Sequence, residues 1–225
     1  MQYADILPVQ FIIVEDSGDE KVRDALEDLG FAFEFIINHL KLGQAAAIDA
    51  GYAKVKTPHV FHCEDDWLFF RSGFIRDSFF LLDKFPKAST ILLRGREEGK
   101  VLMNLPYEIH NGIMFFRTYP EIHKLFFGYS YNPGLRRLSD YRHIAPIADI
   151  GDEGMVSFVF KQLGFYSVHL EIPAVVHLGG KQSTQMRRPK SFFAYLPYKI
   201  KKIRNQWQKR KWRILGLPKQ WTDKE

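Results

Sequence analysis

Phe61-His62-Cys63-Glu64-Asp65-Asp66-Trp67 runs from an apolar stretch straight into three consecutive carboxylates and an aromatic ring. Adjacent carboxylates repel one another and resist burial, so a chain that sets three of them at the end of a buried strand usually has a cation to offset the cost. The residues before the triplet predict that strand, over 59–63. A solvated acidic turn that caps the following helix is the competing reading of the same three residues.

Working back from the triplet, Gln44 to Ala53 is an Ala-rich helix carrying Asp49 and Gly51, and 31–37 reads as a strand. The loop between them is Asn38-His39-Leu40-Lys41-Leu42-Gly43. Glu20 to Leu29 places Val22, Ala25, Leu26 and Leu29 at helical spacing and stops at Gly30. A first strand over 9–14 breaks at Glu15-Asp16-Ser17-Gly18-Asp19, a cluster of turn and capping residues. Working forward, the sequence predicts a helix over 73–85, strands over 89–93 and 110–117, a helix over 153–163 closed by Gly164, and a strand over 165–172. The stretch 129–149 has no clear period and reads as a loop, mobile over a site. Pro173 to Lys181 closes the folded part. Strands alternating with helices imply an α/β fold with a largely parallel sheet, whose ligands lie at the carboxyl ends of the strands. Asp16 and the acidic triplet both fall there.

The chain has 225 residues, 46% of them hydrophobic, which is enough for one sizeable core. Residues 1–180 hold 18 Lys and Arg against 24 Asp and Glu, while 181–225 hold 14 against 2, so the net charge of +6 belongs to the tail. We therefore expect a folded domain over 1–183 and a basic, aromatic tail over 184–225. A single cysteine, Cys63, excludes an intramolecular disulfide and disfavours a Cys-based zinc site. The N-terminus lacks signal-peptide character, and no apolar run is long enough to span a bilayer. These features predict a cytoplasmic protein, peripheral at the inner membrane face.

The order of the polar loop 15–19, the Gly43 to Gly51 helix and Glu64-Asp65-Asp66 resembles the GT-A glycosyltransferases, specifically the large family 2 type. That family follows a nucleotide-holding acidic loop with a Gly, Ala and Asn-rich helix and then an Asp-x-Asp metal motif. Here Asp49 stands where Asn is usual and Glu64 takes the first motif position. Asn111 to Arg117 is similar to the acceptor-side strand, Asp152-Glu153 to the acidic pair heading the catalytic helix, and His177-Leu178-Gly179-Gly180 to the closing His motif. The likeness covers about residues 9–180. It departs from the family twice. The family's opening strand, ending in Pro-x-x-Asn, has no counterpart in residues 1–8, which implies either an N-terminal fragment or a nucleotide pocket built without that strand. Glu153 stands where Asp is usual, one methylene longer.

The resemblance implies a Rossmann-like GT-A sheet and an inverting transfer of a sugar from a UDP-, GDP- or dTDP-sugar to a glycan or lipid-linked hydroxyl. It makes Asp66 the best direct ligand of Mn²⁺ or Mg²⁺, with Glu64 and His177 as further ligands, and the ion would bridge the diphosphate oxygens. Glu15, Asp16, Ser17, Lys41, Glu64 and Asp65 are the expected nucleotide-sugar contacts. Glu153 is the expected general base, with Asp152 beside it. Each also has a plainer reading: Asp16 as a turn or N-cap residue, Asp152 and Glu153 as partners of a helix dipole, and His177 as a packed histidine. Lys181, Arg187 and Arg188 are candidate diphosphate clamps. Trp67 is either a pocket wall or core.

In the tail, Leu196, Ile200, Ile203, Trp207 and Ile214 recur at roughly helical intervals among Lys199, Lys201, Lys202, Arg204, Lys209, Arg210 and Lys211. A basic amphipathic helix over 190–217 suits an anionic membrane surface. Nucleic-acid phosphates and a solvated helix packed on the domain are the weaker readings. Two other functions compete with glycosyl transfer: a sugar-nucleotidyltransferase-like enzyme and an inactive membrane- or nucleic-acid-binding module.

Overall fold

The computed structural model describes residues 2–27, 30–178 and 192–222. Its first half follows the predicted alternation, β1 (Ile12–Glu15), α1 (Lys21–Glu27), β2 (Glu34–Ile37), α2 (Gln44–Tyr52), β3 (His59–His62), α3 (Phe74–Lys84) and β5 (Ala88–Leu92), except for an unexpected short strand β4 (Trp67–Phe69) between β3 and α3. Leu29, assigned to the first helix from sequence, lies outside the described residues. The second half is β6 (Glu108–His110), β7 (Ile113–Arg117), β8 (Gly134–Arg137), α4 (Leu138–Ile144), α5 (Glu153–Gln162), β9 (Tyr166–Leu170), β10 (Val175–His177), α6 (Phe192–Leu215) and α7 (Lys219–Thr222).

The main sheet has six strands in the order β3-β8-β5-β9-β7-β6, and β1-β2 and β4-β10 form two smaller pairs. The fold is mixed α/β with helices flanking the sheet. The expectation of a largely parallel sheet is corrected: among the described pairings only β1-β2 and β5-β9 are parallel. The strand expected over 110–117 is a hairpin. Asn111 and Gly112 take positive φ of 49° and 77°, the two-residue turn that Asn-Gly favours, and β6 folds back on β7.

The largest correction falls on 129–149, read from sequence as a mobile loop. It supplies β8, which runs between β3 and β5, and α4, and it buries Tyr129, Tyr131, Leu138, Tyr141, Ile144 and Ile147. Gly134 makes the strand crossing possible, because a Cβ there would lie 2.3 Å from the Ile91 carbonyl oxygen. Alternation then separates the two sheet faces. Ile91, Leu135 and Val168 pack in the cluster that holds Phe74 and Leu81 of α3. A second cluster gathers α2, α4 and α5 through Ile48, Tyr141 and Val159, and it also contains Trp212 and Trp221. The boundary expected at residue 184 thus does not detach the tail from the core, since burying two tryptophans binds its end to the domain.

His169 is 1% exposed and stacks on Phe116 with ring centroids 4.6 Å apart. Neither of its ring nitrogens has a hydrogen-bond partner among the described residues. Burial first, then Arg94 and Arg96, push its pKa from 6.5 down to about 3. The folded state therefore keeps His169 neutral where the unfolded chain takes up a proton. Its stability is full above pH 6.5 and falls as the pH drops towards about 3, at up to about 1.4 kcal/mol per pH unit. Urea unfolding should show wild type losing about 2 kcal/mol more than His169→Phe between pH 7 and pH 5. An equal loss in both proteins would rule this out.

Candidate active site

The acidic triplet forms the turn between β3 and β4. β4 pairs antiparallel with β10 so that Trp67 lies opposite His177, and Leu178 N donates to the Asp66 carbonyl at 2.8 Å. This pairing brings His177 Nε2 to 2.9 Å from Asp66 Oδ2, and the His177 ring lies 4.7 Å from that of Trp67. Two of the three expected metal ligands therefore meet across 111 residues of sequence. Asp66 Oδ1 is buried with no hydrogen-bond partner among the described residues. Glu64, the third expected ligand, instead accepts a hydrogen bond from Gln44 Nε2 at the start of α2. Among the described residues no group of three or more His, Cys, Asp or Glu is assembled into a metal cage. Burial pushes the Glu64 carboxyl above its usual range; Gln44 opposes the shift, and Asp66, Glu153 and Asp65 reinforce it. The carboxylates at this corner thus share one region of negative potential.

Asp152 and Glu153 stand at the start of α5 and have separate tasks. Asp152 is the N-cap: its Oδ1 accepts from Met155 N at 3.0 Å, and its Oδ2 accepts from Asn205 Nδ2 of α6 at 2.9 Å. Glu153 Oε1 accepts from the Ser130 hydroxyl at 2.8 Å and from Tyr131 N at 3.0 Å, leaving Oε2 without a donor among the described residues. Below them Arg136 is fully buried, donating to Tyr129 Oη at 2.9 Å and to the Asn132 carbonyl at 3.0 Å.

Asp16 latches the loop after β2. Its carboxylate accepts from Asn38 Nδ2, Leu42 N and Gly43 N at 2.8 to 2.9 Å. Burial opposes ionisation of Asp16, and these hydrogen bonds outweigh it, holding the carboxyl below its usual range. Glu15 accepts from Ser17 N, and Lys41 is exposed on the latched loop. Asp49 accepts from Ile147 N at 2.9 Å and Ala148 N at 2.8 Å, joining α2 to the turn before α5.

One open cavity of about 2420 Å³ connects these parts. Glu15, Asp16, Ser17 and Lys41 line it at one end, Glu64, Asp65, Asp66 and His177 at the triplet, and Asp152 and Glu153 at α5. The residues expected as nucleotide-sugar contacts, metal ligands and catalytic pair, Glu15 through Ser17, Lys41, Glu64 through Asp66, Asp152, Glu153 and His177, are all in its lining. The chain matches no protein-family model, and no curated protein matches it. Residues of β1 and β3 also line the cavity, and the second edge of each strand pairs with no strand among the described residues.

Gly179, Gly180, Lys181, Arg187 and Arg188 lie outside the described residues. Other cations line the cavity: Arg94, whose guanidinium carbon sits 5.9 Å from the Trp67 ring centroid, and Arg204 and Lys209 of α6. Sequence reading missed Arg94, Gln44, Ser130 and Asn205 as members of this site. Arg94 belongs to no motif, Gln44 reads only as the first residue of the Ala-rich helix, and Ser130 sits in the stretch read as loop. Asn205 stands beside Gln206 and near Gln208, so its residue type does not set it apart in the helix. Its spacing of seven from Trp212, two helical turns, is the one available signal that both share an inner face.

Proposed function

We propose that the chain is an inverting, metal-dependent glycosyltransferase of GT-A type, moving a sugar from a nucleoside-diphosphate donor to a hydroxyl acceptor. The observation that carries this reading is the single cavity that takes in the Asp16 loop, the acidic triplet with His177, and Glu153, segments far apart in sequence. The donor set fits a hard divalent ion. Asp66 offers a buried oxygen with no partner among the described residues beside an imidazole, and Mn²⁺ or Mg²⁺ commonly binds one or two carboxylates and takes its remaining ligands from phosphate and water. When bound, such an ion neutralises charge on the leaving nucleoside diphosphate.

Glu153 does the proton work. Ser130 and Tyr131 fix Oε1, and Oε2 is the atom left to accept the proton of the acceptor hydroxyl. The acceptor oxygen then bonds to the anomeric carbon from the face opposite the diphosphate, the bond from that carbon to the diphosphate oxygen breaks, and the sugar configuration inverts. Lys41, Arg204 and Lys209 line the cavity as cations for the diphosphate. Asp152 acts through structure, holding the first turn of α5 and so the position of Glu153.

Incubating the full chain with UDP-, GDP- and dTDP-sugars and Mn²⁺ or Mg²⁺ tests the proposal. Release of the matching nucleoside diphosphate is expected. Release of pyrophosphate would favour nucleotidyl transfer, and no turnover of any donor would favour a binding module.

A further inference from the structure

α6 has two faces with different tasks. The inner face is docked: Asn205 and Trp212 are buried, Trp212 meets Trp221 with ring centroids 5.4 Å apart, and Asn205 bonds the N-cap of α5. The outer face is open. Ile200, Ile203, Trp207 and Ile214 recur at three, four and seven residues, so they form one stripe, and they are 58%, 45%, 68% and 70% exposed. On the helical wheel Arg204 and Lys211 flank this stripe on one side and Arg210 on the other, all three exposed. No helix among the described residues is long and apolar enough to cross a membrane.

We infer that the outer face of α6 is a docking surface for an anionic lipid bilayer, on which the helix lies parallel to the membrane plane. Charge complementarity and residue type select this occupant. An apolar stripe between cations matches the acyl boundary between anionic head groups, and an exposed tryptophan suits that interface. Nucleic acid would use the cations and stack on Trp207, but it offers nothing to bury three isoleucines. The same helix supplies Arg204 and Lys209 to the cavity and Asn205 to the residue that caps α5. A bilayer against the outer face therefore lies one helix away from the cavity. Resting on the glycosyl-transfer reading, this points to a lipid-linked hydroxyl as the acceptor class.

The test is co-sedimentation of the full chain with vesicles, which needs no activity and so stands or falls separately from the catalytic proposal. Vesicles of phosphatidylcholine with 40% phosphatidylglycerol, roughly the anionic content of a strongly charged leaflet, should bind the protein at least about tenfold more tightly than phosphatidylcholine alone. Ile203→Ser/Trp207→Ser and, separately, Arg210→Glu/Lys211→Glu should each weaken binding by about tenfold or more. All four side chains are exposed, so circular dichroism and thermal unfolding should match wild type. Equal binding to both vesicle types, binding unaffected by either pair of substitutions, or binding only to an oligonucleotide would overturn the inference.

Discussion

Asp66→Ala is expected to reduce Mn²⁺-dependent release of nucleoside diphosphate by on the order of a thousandfold, equivalent to about 4 kcal/mol of transition-state stabilisation. The expectation rests on the two oxygens of Asp66, one buried without a partner among the described residues and one held by His177. Folding should hardly change. Asp66 and His177 are each 36% exposed, and a half-exposed pair of this kind contributes at most about 1 kcal/mol. The combination of a large kinetic loss with an unfolding midpoint within a few degrees of wild type is the signature of a ligand to the reacting complex. Turnover equal to wild type would remove Asp66 from the chemistry.

Glu153→Gln should lower transfer to an acceptor by about 10²- to 10⁴-fold, the usual worth of a positioned base. A glutamine oxygen can still accept from Ser130 and Tyr131, so the loss should appear in kcat, with KM and stability close to wild type. Asp152→Ala serves as the contrast. It removes the α5 N-cap and leaves the buried Asn205 amide without its acceptor, which should cost about 1 to 3 kcal/mol of stability. Transfer by the folded Asp152→Ala protein should stay within about tenfold of wild type, well short of the loss of a general base. A larger loss there, with Glu153→Gln near normal, would exchange the roles of the two residues.

Local pattern carried much of this site. The triplet at the end of β3, the Ala-rich α2 and the acidic start of α5 are visible because each has a periodic apolar face beside a polar terminus. β8 was hidden for the opposite reason. Gly134-Leu135-Arg136-Arg137 has two arginines and no apolar alternation, and its place between two strands depends on Arg136 finding Tyr129 and Asn132 in the fold. The β4-β10 pairing is three residues long on each side, too short to read, although it alone brings His177 to Asp66. Asn111-Gly112 was legible as a hairpin turn and was read as the start of one strand. Asp16 was placed correctly at a strand end, but its hydrogen bonds to a loop more than twenty residues away are a product of tertiary structure.

Calorimetric titration of a nucleoside diphosphate into the protein, with and without Mn²⁺, tests the central claim most directly. At least one of UDP, GDP and dTDP should bind, binding should tighten by tenfold or more with the ion, a gain of about 1.4 kcal/mol, and Asp66→Ala should abolish the gain. Binding that is the same with and without Mn²⁺, or a gain that survives in Asp66→Ala, would contradict it.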